Sequence, residues 1–600
     1  MLAATAPAAA LLALAAPAPA RDAIVVSADG TPIVSSFHPA EGLAPGAKAP
    51  TILITHGWGG NRDADGTGTS SEATGTVGAA PLRKAGFNVL TWDSRGFGQS
   101  GGTVTVDYKE NEGRDVQALI DYLAKQPEAQ LDGPGDPRVG MHGGSYAGGI
   151  ELVAAGFERR IDAIAPDIAW HSLLTSLYKE ETVKGGWALA LYGAGVPTAG
   201  LEGIVSPAGV QTGTLDPHIT SALVSGASTG KLSAEDRAWF DSRGPSSLVN
   251  AIRVPTLLIQ GTADTLFTLD EAMTNYRILR GNGVPAKMVW FCGGHGTCLT
   301  GSGEAGHVER TVIAWMKRHL AGDASVDTGP RFEWLADDAK WRSAADFPPP
   351  AGAPLVAEGS GRLAINPADA ASGTPVAAGR AANAINVAVP APKAAVQAVG
   401  APKLKLAYSA TGAAAEGYAF AQIVDETRGV VVGNQVRPIP LVLDGKPHAI
   451  ERPLEAIAAS LTPASKLTLQ ITGGSQVYGP ARTAADLNVS SARLEIPTVG
   501  AAGAGGGVLP GSRRCLSRRS FVIRLHEPKA GRLRVRGTRV TVAGRRVKVF
   551  RKRDRVRARV DLRGKVRQRV RVKVLARTTR GKVLRDTRVY RTCTPKRKKR

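Results

Sequence analysis

The sequence predicts a multi-domain protein. An α/β domain with a mostly parallel sheet and an inserted helical cap comes first, then a β jelly roll (sandwich), then a small basic module that is also sandwich-like. Three patterns predict this. Strand-like and helix-like segments alternate from residue 21 to about 320, as a parallel sheet with crossover helices requires. Short strand candidates separated by Pro, Gly and Asn turns fill 325–498. Beyond residue 511, apolar and basic residues alternate with period two. A chain of 600 residues is also too long for one hydrophobic core, and 71 Gly with 38 Pro favour turns and linkers over a helical bundle.

In chain order, residues 1–20 read as a secretory signal peptide. Leu11-Leu12-Ala13-Leu14 lies in an apolar stretch, and Ala18-Pro19-Ala20 fits a small-residue cleavage site, although no Lys or Arg precedes the apolar part. A secreted or cell-surface location follows, and no other apolar run has the length to span a bilayer. The α/β domain is expected over 21–322, with strands near 51–55, 87–92, 138–142, 161–165, 255–260 and 287–291. Val116, Leu119, Ile120 and Leu123 fall at helical spacing, with Asp107 and Glu110 as capping candidates at the helix start. Val308, Val312, Trp315, Met316 and Leu320 make a closing helix. Residues from about 170 to 250 lack strand rhythm and read as a helical cap between two sheet strands. The jelly roll is expected over 323–498, a Gly/Ala linker over 499–511, and the basic module over 512–600.

One motif stands out chemically: His142-Gly143-Gly144-Ser145-Tyr146-Ala147-Gly148. A Ser between glycines where a strand passes into a helix is a nucleophile elbow, in which small neighbours let the hydroxyl stand clear. The pattern here is G-x-S-Y-x-G, since Ala147 holds the usual second Gly position. A Ser hydroxyl needs a base, and in the α/β-hydrolase fold the chain order is Ser, acid, His. Asp264, in Gly261-Thr262-Ala263-Asp264, and His295, in Cys292-Gly293-Gly294-His295-Gly296, each follow a predicted strand, where loops of an open α/β sheet build sites. Ser145, Asp264 and His295 are therefore the expected catalytic residues, with Asp270 as a rival acid and His307 as a non-catalytic residue of the closing helix. The oxyanion donors are expected from the backbone of Tyr146 and, in the loop His56-Gly57-Trp58-Gly59-Gly60, of Trp58. His56 reads as structural.

Four Cys fall as a close pair, Cys292 and Cys298, and a distant pair, Cys515 and Cys593. A disulfide between the first two would fix the His295 loop, and one between the others would staple the last module. Zinc ligation by Cys292, His295 and Cys298 is the weaker reading, since a fourth ligand is missing nearby. No metal or cofactor is expected.

Together these residues resemble the X-Pro dipeptidyl peptidase and cocaine-esterase-like group of serine hydrolases. The likeness rests on Gly143-Gly144-Ser145-Tyr146-Ala147-Gly148, on Asp93-Ser94-Arg95-Gly96-Phe97-Gly98-Gln99-Ser100-Gly101-Gly102, on Asp264 and His295, and on the order hydrolase, cap, jelly roll over about 21–498. It implies cleavage of X-Pro dipeptides from peptide N-termini, or hydrolysis of acyl esters. Members of the group often donate a Tyr hydroxyl from the loop where this chain has Trp58, and a dipeptidyl peptidase holds its substrate's amine with a carboxylate that the sequence does not reveal. The main expectation is an exported X-Pro dipeptidyl-peptidase-like hydrolase. An acyl esterase is the alternative, and a catalytically inactive envelope-binding protein the third reading.

The charge is segregated. Residues 511–600 hold 36 Lys and Arg against 4 Asp and Glu, while the other 510 residues are net acidic. An anionic cell-envelope polymer or lipid surface suits such a module. Nucleic acid is disfavoured, because its aromatic residues are only Phe521, Phe550 and Tyr590.

Overall fold

The computed structural model describes residues 20–199, 213–500, 520–524, 535–542, 545–552, 555–562, 569–578 and 583–591. The signal-peptide reading, the linker from 501 onward, Cys515 and Cys593 lie outside the described residues. The chain divides into two compact units, Met1–Gly507 and Val508–Arg600.

The first unit contains a ten-stranded sheet. Its spatial order is Arg21–Val26, Pro32–His38, Asn88–Trp92, Thr51–Thr55, Val139–Gly144, Ile161–Asp167, Thr256–Gly261, Ala286–Phe291, Phe332–Leu335, Trp341–Ala344. From Asn88–Trp92 to Phe332–Leu335 every neighbouring pair is parallel, and the outer pairs are antiparallel. The central strands are buried along their whole length, as parallel strands covered by helices must be. The sheet also takes in Phe332–Leu335 and Trp341–Ala344, which the sequence reading placed in the following domain. Phe332 and Trp334 are core residues packed with Trp290 and Phe347, so the sheet continues past residue 322 to complete its own core.

Val116, Leu119, Ile120 and Leu123 lie on the buried face of the helix Glu112–Leu123 and join the core under the sheet. The expected cap does not form. The helix begins after Asn111 with no side-chain cap. The carboxylate of Glu112 instead accepts from Thr105 N–H at 2.7 Å and Tyr108 N–H at 3.0 Å, which folds the preceding loop onto the helix. Asp107 is buried at a positive φ of 54°, and Glu110 pairs with Arg114 at the surface.

Between Ile161–Asp167 and Thr256–Gly261 run the helices Leu173–Leu177, Gly185–Ala199, Pro217–Thr229 and Ala234–Asp241. Asp216 and Ser233 cap the last two by accepting from His218 N–H and Asp236 N–H. After Ala344 the chain is β-rich. The 23-residue strand Lys403–Asp425 is the hub of an eight-stranded sheet, and its Lys403-Leu404-Lys405-Leu406 alternates exposed and buried as a half-solvated strand does. This part has its own apolar core.

The second unit contains a three-stranded and a four-stranded antiparallel sheet around Val540, Val542, Ala558, Val560, Val570 and Val572. The period-two pattern accounts for it directly.

Leu119 has no exposed surface. Leu119→Ala is expected to lower stability by about 2–5 kcal/mol, read as a shift in the urea midpoint of the full chain.

Candidate active site

The strand Val139–Gly144 ends at Ser145, from which the helix Tyr146–Ala155 departs. Ser145 has φ 61° and ψ −120°, a conformation few non-Gly residues adopt and one concentrated at functional sites. The turn closes because its neighbours lack side chains. A Cβ on Gly143 would stand 2.5 Å from the Cβ of Ala147, one on Gly144 2.5 Å from Thr76 Oγ1, and one on Gly148 2.7 Å from the carbonyl oxygen of Asp167. Ala147 is thus tolerated where a Gly is usual because Gly143 leaves it room. Ser145 N–H donates to the Asp167 carbonyl at 2.9 Å and stitches the elbow to the next strand.

Ser145 Oγ lies 2.7 Å from His295 Nε2, and His295 Nδ1 lies 2.7 Å from Asp264 Oδ2. Asp264 is fully buried. Its Oδ1 accepts from Leu266 N–H and Phe267 N–H at 3.0 and 2.9 Å, and its Oδ2 also accepts from His295 N–H at 3.1 Å. An ionised carboxylate only accepts, so Nδ1 carries the imidazole proton and Nε2 is free to accept from the Ser hydroxyl. The rings of Phe267 and Trp187 stand edge-on to His295 at 5.2 and 5.9 Å. Cys292 and Cys298 form a disulfide that brackets the His295 loop, so their sulfurs are joined to each other rather than facing a metal. Asp270, the rival acid, faces Lys179 and Arg437 at 3.7 Å each. His307 pairs with Glu333 at 2.8 Å and stacks on Trp341.

Four supporting residues escaped the sequence reading. Gln435 Nε2 donates to the Asp264 carbonyl at 2.7 Å, and Asn434 Nδ2 to the Thr297 carbonyl at 3.1 Å; both come from the β-rich part. From the cap side, Trp187 Nε1 donates to Thr265 Oγ1 at 3.0 Å. Lys184 Nζ donates to the Thr265 and Leu266 carbonyls at 2.7 and 3.0 Å. Lys184 is buried, which pulls its ammonium pKa down to about 7.

Tyr146 opens its helix, so its backbone N–H has no carbonyl one turn back within the helix. Its phenol is buried and donates to Glu112 Oε1 at 3.2 Å. The loop carrying Trp58 passes beside the nucleophile: a Cβ on Gly57 would be 4.0 Å from the Ser145 Cβ. The Trp58 indole N–H donates to the Leu191 carbonyl of the cap at 2.8 Å, which leaves the backbone as its only donor toward a substrate oxygen. His56 is structural in its bonding. Its Nε2 accepts from Ser94 N–H at 3.0 Å and its Nδ1 donates to the Gly57 carbonyl at 2.8 Å.

A cavity opens at Ser145. Its described lining is apolar and aromatic, from Leu173, Leu177, Leu191, Ile219, Phe240 and their neighbours, with no Asp, Glu, Lys or Arg. The carboxylates behind the wall are sealed. Asp107 is buried beside Gly149 and Trp170 with neither oxygen bonded, and burial pushes its pKa well above the usual carboxylate range. Glu112 is taken up by Thr105, Tyr108 and Tyr146.

The sheet order and the turn at its centre define the class, an α/β-hydrolase fold with a further β-rich part. Residues 33–297 match the model of the X-Pro dipeptidyl-peptidase (S15) family. Three solved structures share the fold across most of the chain. A CocE/NonD family hydrolase from Staphylococcus aureus has a TM-score of 0.57 at 13% identity, covering 81% of this chain and 97% of that one. An aminopeptidase from the marine sediment archaeon Thaumarchaeota archaeon has a TM-score of 0.58 at 13% identity, covering 82% and 99%. An alpha-amino acid ester hydrolase has a TM-score of 0.57 at 14% identity, covering 80% and 96%. No curated protein matches the chain. The resemblance to the X-Pro dipeptidyl peptidase and cocaine-esterase-like group therefore holds, as a match of residues 33–297 to the S15 family model and as a fold shared with the three structures. No helix among the described residues is long and apolar enough to cross a membrane.

His142, three residues before the nucleophile, accepts from Val77 N–H at 2.9 Å through Nε2 and donates to the Ala165 carbonyl at 2.8 Å through Nδ1. Burial lowers its pKa from 6.5 to about 4. Between those pH values only the unfolded chain takes up the proton, so stability falls on acidification through that window, by about 3 kcal/mol in all. Buried Glu151 and Asp167, whose pKa values are raised by burial, act in the opposite sense. The His142 contribution is therefore read as a difference: wild type should lose more stability than His142→Gln between pH 6.5 and 4 in urea titrations.

Proposed function

We propose that the protein is an exported acyl hydrolase that forms an acyl-enzyme on Ser145 and takes an uncharged, apolar acyl group into the cavity beside it. Ser145 Oγ attacks the substrate carbonyl while its proton passes to His295 Nε2. Asp264 holds the imidazole in the required tautomer and stabilises the imidazolium. The developing oxyanion takes the backbone N–H of Tyr146 and that of Trp58. His295 returns the proton to the leaving group, then deprotonates the water that releases the acid.

The observation that carries the choice of substrate is the cavity lining. Among its described residues there is no carboxylate to pair with a free amino terminus, and burying an unpaired ammonium there would be costly. This favours the acyl-esterase reading over cleavage of X-Pro dipeptides, which the family name supports and which stands as the second reading. The Cys292–Cys298 disulfide is consistent with an oxidising, extracytoplasmic location.

A panel of acyl esters of increasing chain length beside aminoacyl-prolyl amides tests this. Esters with medium apolar acyl groups should give the highest kcat/KM, and Ser145→Ala should lower kcat by about 10⁴-fold or more. Faster cleavage of the prolyl amides would restore the peptidase reading. Failure of a fluorophosphonate to label Ser145 would mean an inactive protein.

A further inference from the structure

The four-stranded sheet of the second unit carries a feature that hydrolysis does not use. Thr541 is registered opposite Arg546 and Lys573, and Lys573 opposite Thr587. Arg539 stands opposite Leu575, and Leu575 opposite Arg585. Gly537 stands opposite Arg577, Arg577 opposite Val583, and Arg571 opposite Val589. Directly opposed residues of antiparallel strands share a face. One face therefore displays Arg539, Arg546, Arg571, Lys573, Arg577 and Arg585, all exposed. Their neutral neighbours on that face include Leu575, Val583 and Val589, which are 39%, 39% and 54% exposed.

None of these registered positions is Asp or Glu, and none of the six cations makes an ion pair with another described residue. Asp586 and Arg588, which pair with each other at 2.8 Å, are registered on the opposite face. Four strands spaced ~4.8 Å apart, and ~20 Å along the strand from Arg571 to Arg577, spread the six charges over a two-dimensional patch. Neighbouring charges in such a patch, as Arg571 and Lys573 about 7 Å apart along one strand, lie within one Debye length in physiological salt and repel one another unless an anion covers them.

The geometry points to this face as a docking surface for an anionic lipid bilayer. A linear polyanion would follow one row of cations, whereas this array extends in two dimensions. Leu575, between Arg539 and Arg585, and Val583 and Val589, on the edge strand beside Arg577 and Arg571, suit the boundary of headgroup and acyl chain, where apolar contact adds to the electrostatic attraction. The registered face has no aromatic ring on which the bases of a single strand could stack, and it offers a four-stranded sheet rather than the helix or two-stranded ribbon that enters a duplex groove.

The test is co-sedimentation of the full-length protein with vesicles of phosphatidylcholine alone or mixed with phosphatidylglycerol, over a range of NaCl. Binding is expected only to the mixed vesicles and should weaken as salt rises. Arg571→Gln combined with Lys573→Gln should weaken it by about 30-fold. Leu575→Ser combined with Val589→Ser should weaken vesicle binding while leaving binding to soluble polyphosphate and duplex DNA unchanged. Unaltered circular dichroism and ester hydrolysis would show that each variant is folded. Three results would overturn the proposal: equal binding to neutral vesicles, no binding to either kind, or binding to soluble polyphosphate or DNA that exceeds vesicle binding and shares its loss in the charge variant. The last would assign the face to a soluble polyanion.

Discussion

Much of the candidate site depends on one buried carboxylate with every oxygen occupied. Asp264 accepts from two backbone N–H groups on one oxygen and from the backbone and ring of His295 on the other. A buried charge is tolerable only when so satisfied, and this arrangement leaves the imidazole ring little freedom to rotate. The loop that carries Asp264 is gripped from two directions, by Lys184 and Trp187 on the cap side and by Gln435 on the β-rich side. The β-rich part thus forms one wall of the site's foundation. That is a physical reason for a hydrolase sheet and a β-rich part to sit within one compact unit.

Each of Ser145, Asp264 and His295 was legible in the sequence for the same reason. Each stands just past a short predicted strand; Ser145 and His295 have glycines on both sides, and Asp264 follows Gly261 by three residues. The gripping residues were not legible. Gln435 reaches Asp264 across 171 positions and Lys184 reaches Thr265 across 81, and a lone Gln or Lys in a loop carries no local pattern. Asp107 misled because an acidic residue shortly before an amphipathic helix is a usual capping signal. Here Glu112 makes those bonds from inside the helix, and Asp107 turns inward. The sheet's last two strands were missed because they follow the closing helix, where an α/β pattern ordinarily stops.

The apolar cavity and the sealed acids behind it belong together. Asp107, Glu112, Glu151 and Asp167 all have pKa values raised by burial. An ionised carboxylate near the nucleophile would repel the negative charge that gathers on a substrate carbonyl, so burial shifts these acids in the direction that weakens the repulsion.

The indole of Trp58 ties two functions that are usually kept apart. One end of its residue belongs to the loop beside Ser145, and the other hydrogen-bonds to a carbonyl of the cap helix Gly185–Ala199. A cap that swung outward to admit a bulky guest would pull on that tether and tilt the loop away from the reacting centre. One residue thus couples the position of the cap helix to that of the loop beside the nucleophile.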